Sequence, residues 1–113
     1  MSRVLIVAPE PDLRRSLQFA LEADGHTVSS YPGIVNRGEF EWPFDCTILD
    51  GHAVAVIEDA LSFCRDFEPV ILLVSRAEHP LSPRVFETLY KPMLGPALTL
   101  AVRRAVDLGG APK

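Results

Sequence analysis

The sequence predicts an α/β domain in which helices cover both faces of a parallel sheet. Strand-length and helix-length patterns alternate along the chain, as they do in parallel sheets with right-handed crossovers. Residues 4–7 and 70–74 are apolar without interruption, which is typical of strands buried on both faces. The 113 residues suffice for one domain and its core but not for two. We therefore expect one domain over residues 1–108 and a flexible tail over 109–113.

The pattern gives five strands and three helices. The predicted strands cover residues 4–7, 27–31, 45–49, 70–74 and 88–90. The predicted helices cover residues 11–24, 54–67 and 96–108. Two prolines and two glycines fall in residues 32–44, so any helix there is short or absent. The segment 75–84 carries Pro80 and Pro83 and is expected to be mostly loop.

Each predicted helix has its own boundary and periodicity signals. In the first helix Pro11 suits the first turn, Asp12 complements the positive end of the dipole, and Gly25 stands at the C′ position. Each helix also carries one apolar stripe that can face a core. These stripes consist of Leu13, Leu17, Ala20 and Leu21, then Ile57, Ala60, Leu61 and Cys64, then Leu98, Ala101, Val102 and Ala105.

The strands differ in hydrophobicity, and this difference indicates which strands are central and which lie at an edge of the sheet. Residues 70–74 form the most hydrophobic strand and belong at the centre, whereas two serines mark residues 27–31 as an edge. The expected fold is a flavodoxin-like (βα)5 three-layer sandwich with strand order 2-1-3-4-5. In that order the carboxyl ends of four strands meet at one edge, where such sheets bind ligands. The residues at those ends are Ala8, Pro9, Asp50, Ser75 and Lys91.

Four segments, which span nearly the whole chain, resemble the receiver domains of bacterial two-component response regulators. They read RVLIVAPEPDLRRSLQFALEADGHTV, FDCTILD, PVILLVS and YKP. The resemblance implies that Asp50 occupies the position that accepts a phosphoryl group from a histidine kinase. It also implies that Ser75 and Lys91 stand at the positions that contact the phosphate.

The chain departs from the family pattern at several of these positions. The acidic pair that holds Mg²⁺ in the family falls on Ala8 and Pro9, and neither side chain can ligate a metal. Arg76 replaces a small residue, and Thr88 stands at the aromatic switch position. The connection between Ser75 and Lys91 is short and contains prolines, so the fourth helix of the family is expected to be shortened or missing.

The charges of this pocket differ from those that the resemblance implies. The resemblance implies a pocket with three carboxylates and a lysine, whose net negative charge requires a dication. In this chain the pocket has Asp50 opposite Lys91, with or without Arg76, so its net charge is already neutral or positive. We therefore expect Lys91, with or without Arg76, to pair with Asp50 in the space of the metal and phosphate. Weak or absent Mg²⁺ binding and no cofactor follow from this. Glu10, at a helix start, is expected to cap backbone N–H groups.

These expectations favour a stand-alone pseudo-receiver: a non-enzymatic, phosphorylation-independent protein-interaction module in bacterial signalling or regulation. Its partner would be a signalling or regulatory protein, with a histidine kinase among the candidates, and a homodimer is left open. The alternative is an active single-domain response regulator that is phosphorylated on Asp50 with atypical cation use. A third reading is a small-ligand sensor that uses the vacated metal pocket.

Composition and the remaining motifs exclude several other classes. A net charge of −4 argues against nucleic-acid binding, and apolar runs of strand length argue against a membrane span or signal peptide, so a cytoplasmic protein is expected. Cys46 and Cys64 are expected to be reduced, buried thiols. His26, His52 and His79 lack metal-ligand spacing, so no metal site is expected. Two interpretations are left open for the aromatic residues Phe40, Trp42 and Phe44, which either anchor a partner or pack a loop onto the sheet.

Overall fold

The chain forms a parallel sheet between two layers of helices. The computed structural model describes residues 2–34, 40, 43–75, 79–91 and 95–109. The strands are β1 (Arg3–Val7), β2 (Thr27–Tyr31), β3 (Cys46–Asp50), β4 (Val70–Val74) and β5 (Glu87–Tyr90). The helices are α1 (Pro11–Ala23), α2 (Ile57–Asp66) and α3 (Gly95–Arg104), and α3 continues into a wider π-helical segment, Ala105–Gly109.

The strand order is β2-β1-β3-β4-β5, and every pair is parallel. This confirms the predicted flavodoxin-like topology. The order reverses between β1 and β3, so the cleft expected of such sheets opens there, beyond the carboxyl ends of the strands. β3 runs one residue further than predicted because Asp50 still pairs in register with Leu73 of β4.

Two apolar layers, one on each face of the sheet, form the core. Alternate residues of each strand point to opposite faces, so Val4 and Ile6 lie in one layer and Leu5 and Val7 in the other. The first layer packs under α1 and α3 through Leu17, Leu21, Leu98, Ala101 and Val102. The second layer packs under α2 through Ala60, Phe63 and Cys64. The predicted stripes of α1 and α3 are therefore the faces that these helices bury, whereas α2 buries Phe63 in addition to Ala60 and Cys64, and Ile57 of its predicted stripe is in neither layer.

The end of α1 follows its predicted signal. Gly25 has φ +94°, a left-handed conformation that L side chains rarely adopt. Its N–H donates to the Glu22 carbonyl at 3.0 Å, and the His26 N–H donates to the Leu21 carbonyl at 3.1 Å. These bonds satisfy carbonyls that the helix end leaves without partners, so Gly25 is the C′ residue that the sequence indicates.

The connection between β4 and β5 lacks an α-helix within its described residues, 79–86. One 3-10 turn, Ser82–Arg84, stands there instead. Leu81 precedes that turn and is fully buried in the apolar layer beneath α2. This arrangement is consistent with the predicted shortening of the fourth helix, since Pro80 and Pro83 restrict helical structure to a single turn.

The start of α2 was predicted too early. The chain leaves β3 through a 3-10 turn, Gly51–Ala53, and α2 begins only at Ile57 rather than at residue 54. The apolar pattern did not reveal the later start, because Val54 and Val56 extend that pattern on the N-terminal side of Ile57. The turn directly follows Asp50 and so shapes the cleft.

Aromatic side chains fill the space beneath α2. The Phe40 ring is buried, with its centroid 4.8 Å from that of Tyr31 and 5.0 Å from that of Phe67. Phe44 also contacts Phe67, at 6.3 Å. For Phe40 and Phe44 the loop-packing interpretation therefore holds. Trp42, together with any helix in residues 35–39, lies outside the described residues.

Both cysteines are buried, unpaired thiols, as predicted, and they lie in the two apolar layers on opposite faces of the sheet. Burial raises the pKa of Cys46 to about 12 and that of Cys64 to about 11. Both groups therefore behave as small apolar side chains. Within the described ranges, no helix is long and apolar enough to cross a membrane.

Candidate functional site

Residues that follow β1, β4 and β5 line one cleft together with Asp50, the last residue of β3. The cleft has a volume of about 430 Å³. Its walls are Pro9, Glu10, Leu13, Asp50, His52, Ser75 and Lys91. The Lys91 N–H donates to the Val74 carbonyl at 2.8 Å, which fixes the end of β5 beside that of β4. The topology thus brings together Pro9, Asp50, Ser75 and Lys91, which lie far apart in the sequence.

Asp50 is an almost completely buried carboxylate, only 1 % exposed. Its Oδ1 accepts a hydrogen bond from Lys91 Nζ at 2.7 Å and another from the backbone N–H of His52 at 3.0 Å. A buried carboxylate is tolerated only with such partners, because it has lost the water that would solvate it. The Lys91 side chain is 19 % exposed, so the pair lies at the cleft floor.

His52 lies beside this ion pair. Its Nδ1 is 3.4 Å from Lys91 Nζ and 3.7 Å from Asp50 Oδ1, and its side chain is 69 % exposed. The sequence placed His52 two residues after Asp50 on a loop, and it is indeed exposed. Its contact with Lys91 was not anticipated, because that contact depends on how β5 docks against β4.

His79 also lies close to this edge, which the sequence did not indicate. Its Nδ1 accepts the Leu81 N–H at 3.2 Å. A Cβ on Gly51 would lie only 3.1 Å from His79 Nε2 and 3.3 Å from the Leu73 carbonyl oxygen. The histidine ring therefore packs against the turn that follows Asp50. No periodicity or motif could have revealed a contact made from a proline-containing loop.

The two positions that the resemblance assigns to metal ligation have different environments. Ala8 is fully buried in the layer beneath α1 and α3, and its N–H donates to the Tyr31 carbonyl at 3.0 Å. Pro9 is exposed and lines the cleft. Arg14 of α1 reaches back and donates through Nη1 to the Ala8 carbonyl at 2.7 Å. A guanidinium thus satisfies the carbonyl at the end of β1.

This set of donors does not fit a Mg²⁺ ion held in the way that the resemblance implies. Mg²⁺ requires oxygen ligands in near-octahedral geometry, and proteins usually supply one or two carboxylates among them. A methyl group and a proline ring stand at two of the expected positions, and the Asp50 carboxylate already accepts the Lys91 ammonium. Within the described residues, no three His, Cys, Asp or Glu side chains converge as metal ligands.

Glu10 does not cap α1, so that expectation was wrong. It occupies the N-cap position with extended backbone angles, but its side chain makes no capping hydrogen bond. Glutamate is longer than the Ser, Asp and Asn side chains that fit this geometry. Glu10 is exposed and is one of the residues that line the cleft.

The remaining predicted site residues have separate positions. Ser75 is exposed and lines the cleft. Thr88 is half-buried within β5, where it pairs in register with Leu72, and it does not line the cleft. Arg76, the proposed second partner of Asp50, lies outside the described residues.

Solved structures with the same architecture include receiver domains of response regulators. The non-phosphorylated HemR receiver domain from Leptospira biflexa superposes with a TM-score of 0.81 at 22% identity, covering 100% of this chain and 99% of that one. The chemotaxis response regulator CheY4 of Vibrio cholerae gives a TM-score of 0.73 at 18% identity, covering 93% and 98%. A putative pilus assembly protein from Burkholderia thailandensis gives 0.78 at 22% identity, covering 95% and 99%.

The chain has the receiver-domain fold. No protein-family model matches the sequence, and neither does any curated protein. At these identities the likeness extends to the fold and not to the chemistry. In the receiver fold of this chain, the cleft residues themselves must therefore indicate what the site can do.

Proposed function

We propose that the chain is a pseudo-receiver, a protein-interaction module in bacterial signalling or regulation that works without Mg²⁺-dependent phosphorylation. The partner would be a signalling or regulatory protein, and the module would catalyse no reaction of its own. The contact between Lys91 Nζ and Asp50 Oδ1, at 2.7 Å, carries this proposal. It gives the one buried carboxylate of the cleft a cation from within the chain.

The charges at the cleft floor support this reading. Two opposite unit charges about 4 Å apart attract by about 4 kcal/mol at an effective dielectric constant of about 20. Lys91 and Asp50 are closer than this and partly shielded from water, so a dication must compete with a strong existing interaction. With Ala8 and Pro9 in place of two acids, that dication would gain little in return.

Phosphoryl transfer to Asp50 would face the same obstacle. The transfer needs a nucleophile in line with the donor and cations that neutralise the developing charge. Asp50 Oδ1 already accepts two hydrogen bonds, and Lys91 is engaged in one of them. The free energy of breaking that pair would add to the barrier.

One observation favours the alternative, an active phosphoacceptor with atypical cation use. Asp50, Ser75 and Lys91 still line a single cleft, so the phosphate-contacting set implied by the resemblance has been kept together. In that function Lys91 and His52 would replace the metal as the source of positive charge. The two functions differ in whether a phosphoryl analogue binds at Asp50.

The experiment is an amide NMR titration of the wild-type chain with Mg²⁺, followed by beryllofluoride, which mimics an acyl phosphate on Asp50. We expect no saturable shifts around Asp50, Ser75 and Lys91 from either addition. Pro9→Asp is the matched control, because this exposed position lines the cleft and would add a carboxylate beside Glu10 and Asp50. It should bind Mg²⁺ more tightly than the wild type.

Saturable beryllofluoride shifts in the wild type, abolished by Asp50→Asn, would overturn the proposal and establish the phosphoacceptor. If the analogue bound without added Mg²⁺, the cation would have to come from the chain itself. Wild-type spectra that stay unchanged while Pro9→Asp responds would support the pseudo-receiver and show that the assay can detect a metal at this edge.

A further inference from the structure

Glu10 is the one carboxylate of the cleft lining without a partner among the described residues. It makes no capping hydrogen bond at the start of α1, and it belongs to no ion pair there. It is exposed, next to Pro9 and one helical turn before Leu13. The other carboxylate, Asp50, is already neutralised by Lys91. Among the described residues, the cleft lining therefore carries one carboxylate that no ion pair neutralises.

The formal charges of the lining residues lead to the same conclusion. Among the described lining residues, the charges of Asp50 and Lys91 cancel and Ser75 carries none, so the charge of Glu10 is left unbalanced. The whole chain is also acidic, at −4. A cationic group is therefore the complementary occupant, both at the rim and in the longer-range field that guides two proteins together.

The shape of the cleft restricts which cationic group fits. Pro9 and Leu13 form an apolar wall beside Glu10, and the cleft volume of about 430 Å³ lies within the range of small-ligand pockets. A long side chain with an apolar stem and a charged end can cover such a wall while its charge stays at the wet rim. Lysine and arginine side chains have this form.

We infer that the cleft receives one lysine or arginine side chain from a protein partner, with the stem against Pro9 and Leu13 and the charge at Glu10. This inference rests on the proposed function, because it requires Asp50 and Lys91 to stay paired. An anionic group would instead meet Glu10 at the rim and would have to draw Lys91 away from Asp50. A basic side chain needs neither change.

The test is an amide NMR titration with Nα-acetyl-arginine N-methylamide as the probe. Nα-acetyl-norleucine N-methylamide serves as the uncharged control, and the corresponding glutamate derivative as the anionic one. We expect saturable shifts at Glu10, Leu13 and His52 with the arginine probe alone. Glu10→Gln should weaken its binding by about threefold, which is the scale of an exposed ion pair.

Asp12→Asn provides the matched control variant. Asp12 lies on the same helical turn and its side chain is 94% exposed, but it does not line the cleft. Its loss removes the same charge from the chain, so it should leave the dissociation constant of the probe nearly unchanged. Equal effects of the two variants would mean general attraction to an acidic surface and would overturn the inference.

The inference is also overturned if the arginine probe gives no saturable shifts, or if the norleucine or glutamate probe binds as well. Those results would leave the pseudo-receiver proposal intact, since it concerns Mg²⁺ and phosphorylation. Conversely, Mg²⁺-dependent beryllofluoride binding would contradict the proposed function whatever the arginine probe does. The two failures can therefore be told apart.

Discussion

The tripeptide Asp-Gly-His occurs twice in this chain, at opposite ends of the sheet. Asp24-Gly25-His26 lies between α1 and β2, and Asp50-Gly51-His52 lies at the end of β3. Each aspartate pairs with a cation from a distant element. Lys91 follows β5, 41 residues from Asp50, and Arg103 belongs to α3, 79 residues from Asp24.

The surroundings of the two tripeptides are reversed. Asp50 is buried while His52 projects into solvent. At the other end Asp24 is partly exposed and bonded by a largely exposed Arg103, whereas the His26 side chain is only 9% exposed. Arg103 binds both carboxylate oxygens, at 2.6 and 3.2 Å. The same tripeptide thus takes part in a solvent-accessible ion pair, Asp24–Arg103, at one end of the sheet and in a buried ion pair, Asp50–Lys91, at the other.

The difference shows that the element a tripeptide terminates decides its chemistry. Asp50, at the end of a central strand, is buried at the floor of the cleft, whereas Asp24, at the end of a surface helix, is partly exposed and pairs with a largely exposed arginine. Solvent screens the second pair and lets it rearrange. Water cannot replace Lys91 beside Asp50, so the two pairs should respond differently to the loss of one member.

The largest expected effect is that of Lys91→Met. It would leave Asp50 buried without its cation, and breaking a buried pair in this way costs roughly 3–5 kcal/mol of unfolding free energy. Urea denaturation measures the loss. The exposed counterpart, Arg103→Met, should shift the urea midpoint much less, because water can solvate Asp24 after the change.

The double variant Asp50→Asn/Lys91→Met serves as the control for that prediction. Removing both charges together should recover most of the lost stability, since neither group is then left buried and charged. If Lys91→Met destabilised the chain no more than Arg103→Met does, burial would not make the Asp50–Lys91 pair more important for stability than the Asp24–Arg103 pair.

The two glycines give the next largest effects, by different mechanisms. Gly25→Ala should cost about 1 kcal/mol because φ +94° is unfavourable for a residue with a Cβ. Gly51→Ala should cost a similar amount, about 1 kcal/mol, because its Cβ would crowd the Leu73 carbonyl and His79. Thermal or urea unfolding measures both.

Gly33→Ala is the matched control, since its Cβ would meet nothing within 4 Å. It should leave stability unchanged or slightly raised, because alanine restricts the unfolded chain. An equal loss at Gly33 would mean that the effects at Gly25 and Gly51 do not come from backbone strain and crowding.

The smallest expected effect is a pH dependence of stability that comes from the Asp24–Arg103 ion pair. The hydrogen bond from Arg103 holds the pKa of Asp24 below its ordinary value. A lowered pKa in the folded state stabilises the fold above the unfolded pKa, and this stabilisation is lost as the pH falls through the folded value. The wild type should therefore have a higher urea midpoint than Asp24→Asn at pH 7, with the gap closing below about pH 4.

Asp12→Asn is again a suitable comparison, because its carboxylate is nearly fully exposed and lies 3.9 Å from Arg15. Its urea midpoint should follow that of the wild type closely at every pH. A gap between wild type and Asp24→Asn that widened on acidification would contradict the lowered pKa.

Much of the fold could be read from the sequence because burial imposes simple periods on it. Apolar runs located β1 and β4, and the glycine at position 25 located the end of α1. The start of α2 was placed too early, since Val54 and Val56 extend the apolar pattern N-terminal to Ile57. The predicted strand order placed β5 beside β4, but the contact of His52 with Lys91 joins distant segments and no local pattern encodes it.

The candidate site could be predicted only in part from the sequence, again because contacts between distant segments leave no local pattern. Strand ends identified Asp50, Ser75 and Lys91 as neighbours, and charge counting predicted that Lys91 would pair with Asp50. The role of Glu10 was misread, because a position at a helix start does not by itself tell whether the side chain caps the helix. His79 carried no signal at all.

The central claim is that Asp50 is held by Lys91 and does not accept a phosphoryl group through Mg²⁺. The most direct measurement incubates the wild-type chain with acetyl phosphate, with and without Mg²⁺, and follows its intact mass. We predict that the mass stays unchanged in both conditions. A Mg²⁺-dependent gain of one phosphoryl group that Asp50→Asn abolishes would contradict the account and identify the chain as an active receiver.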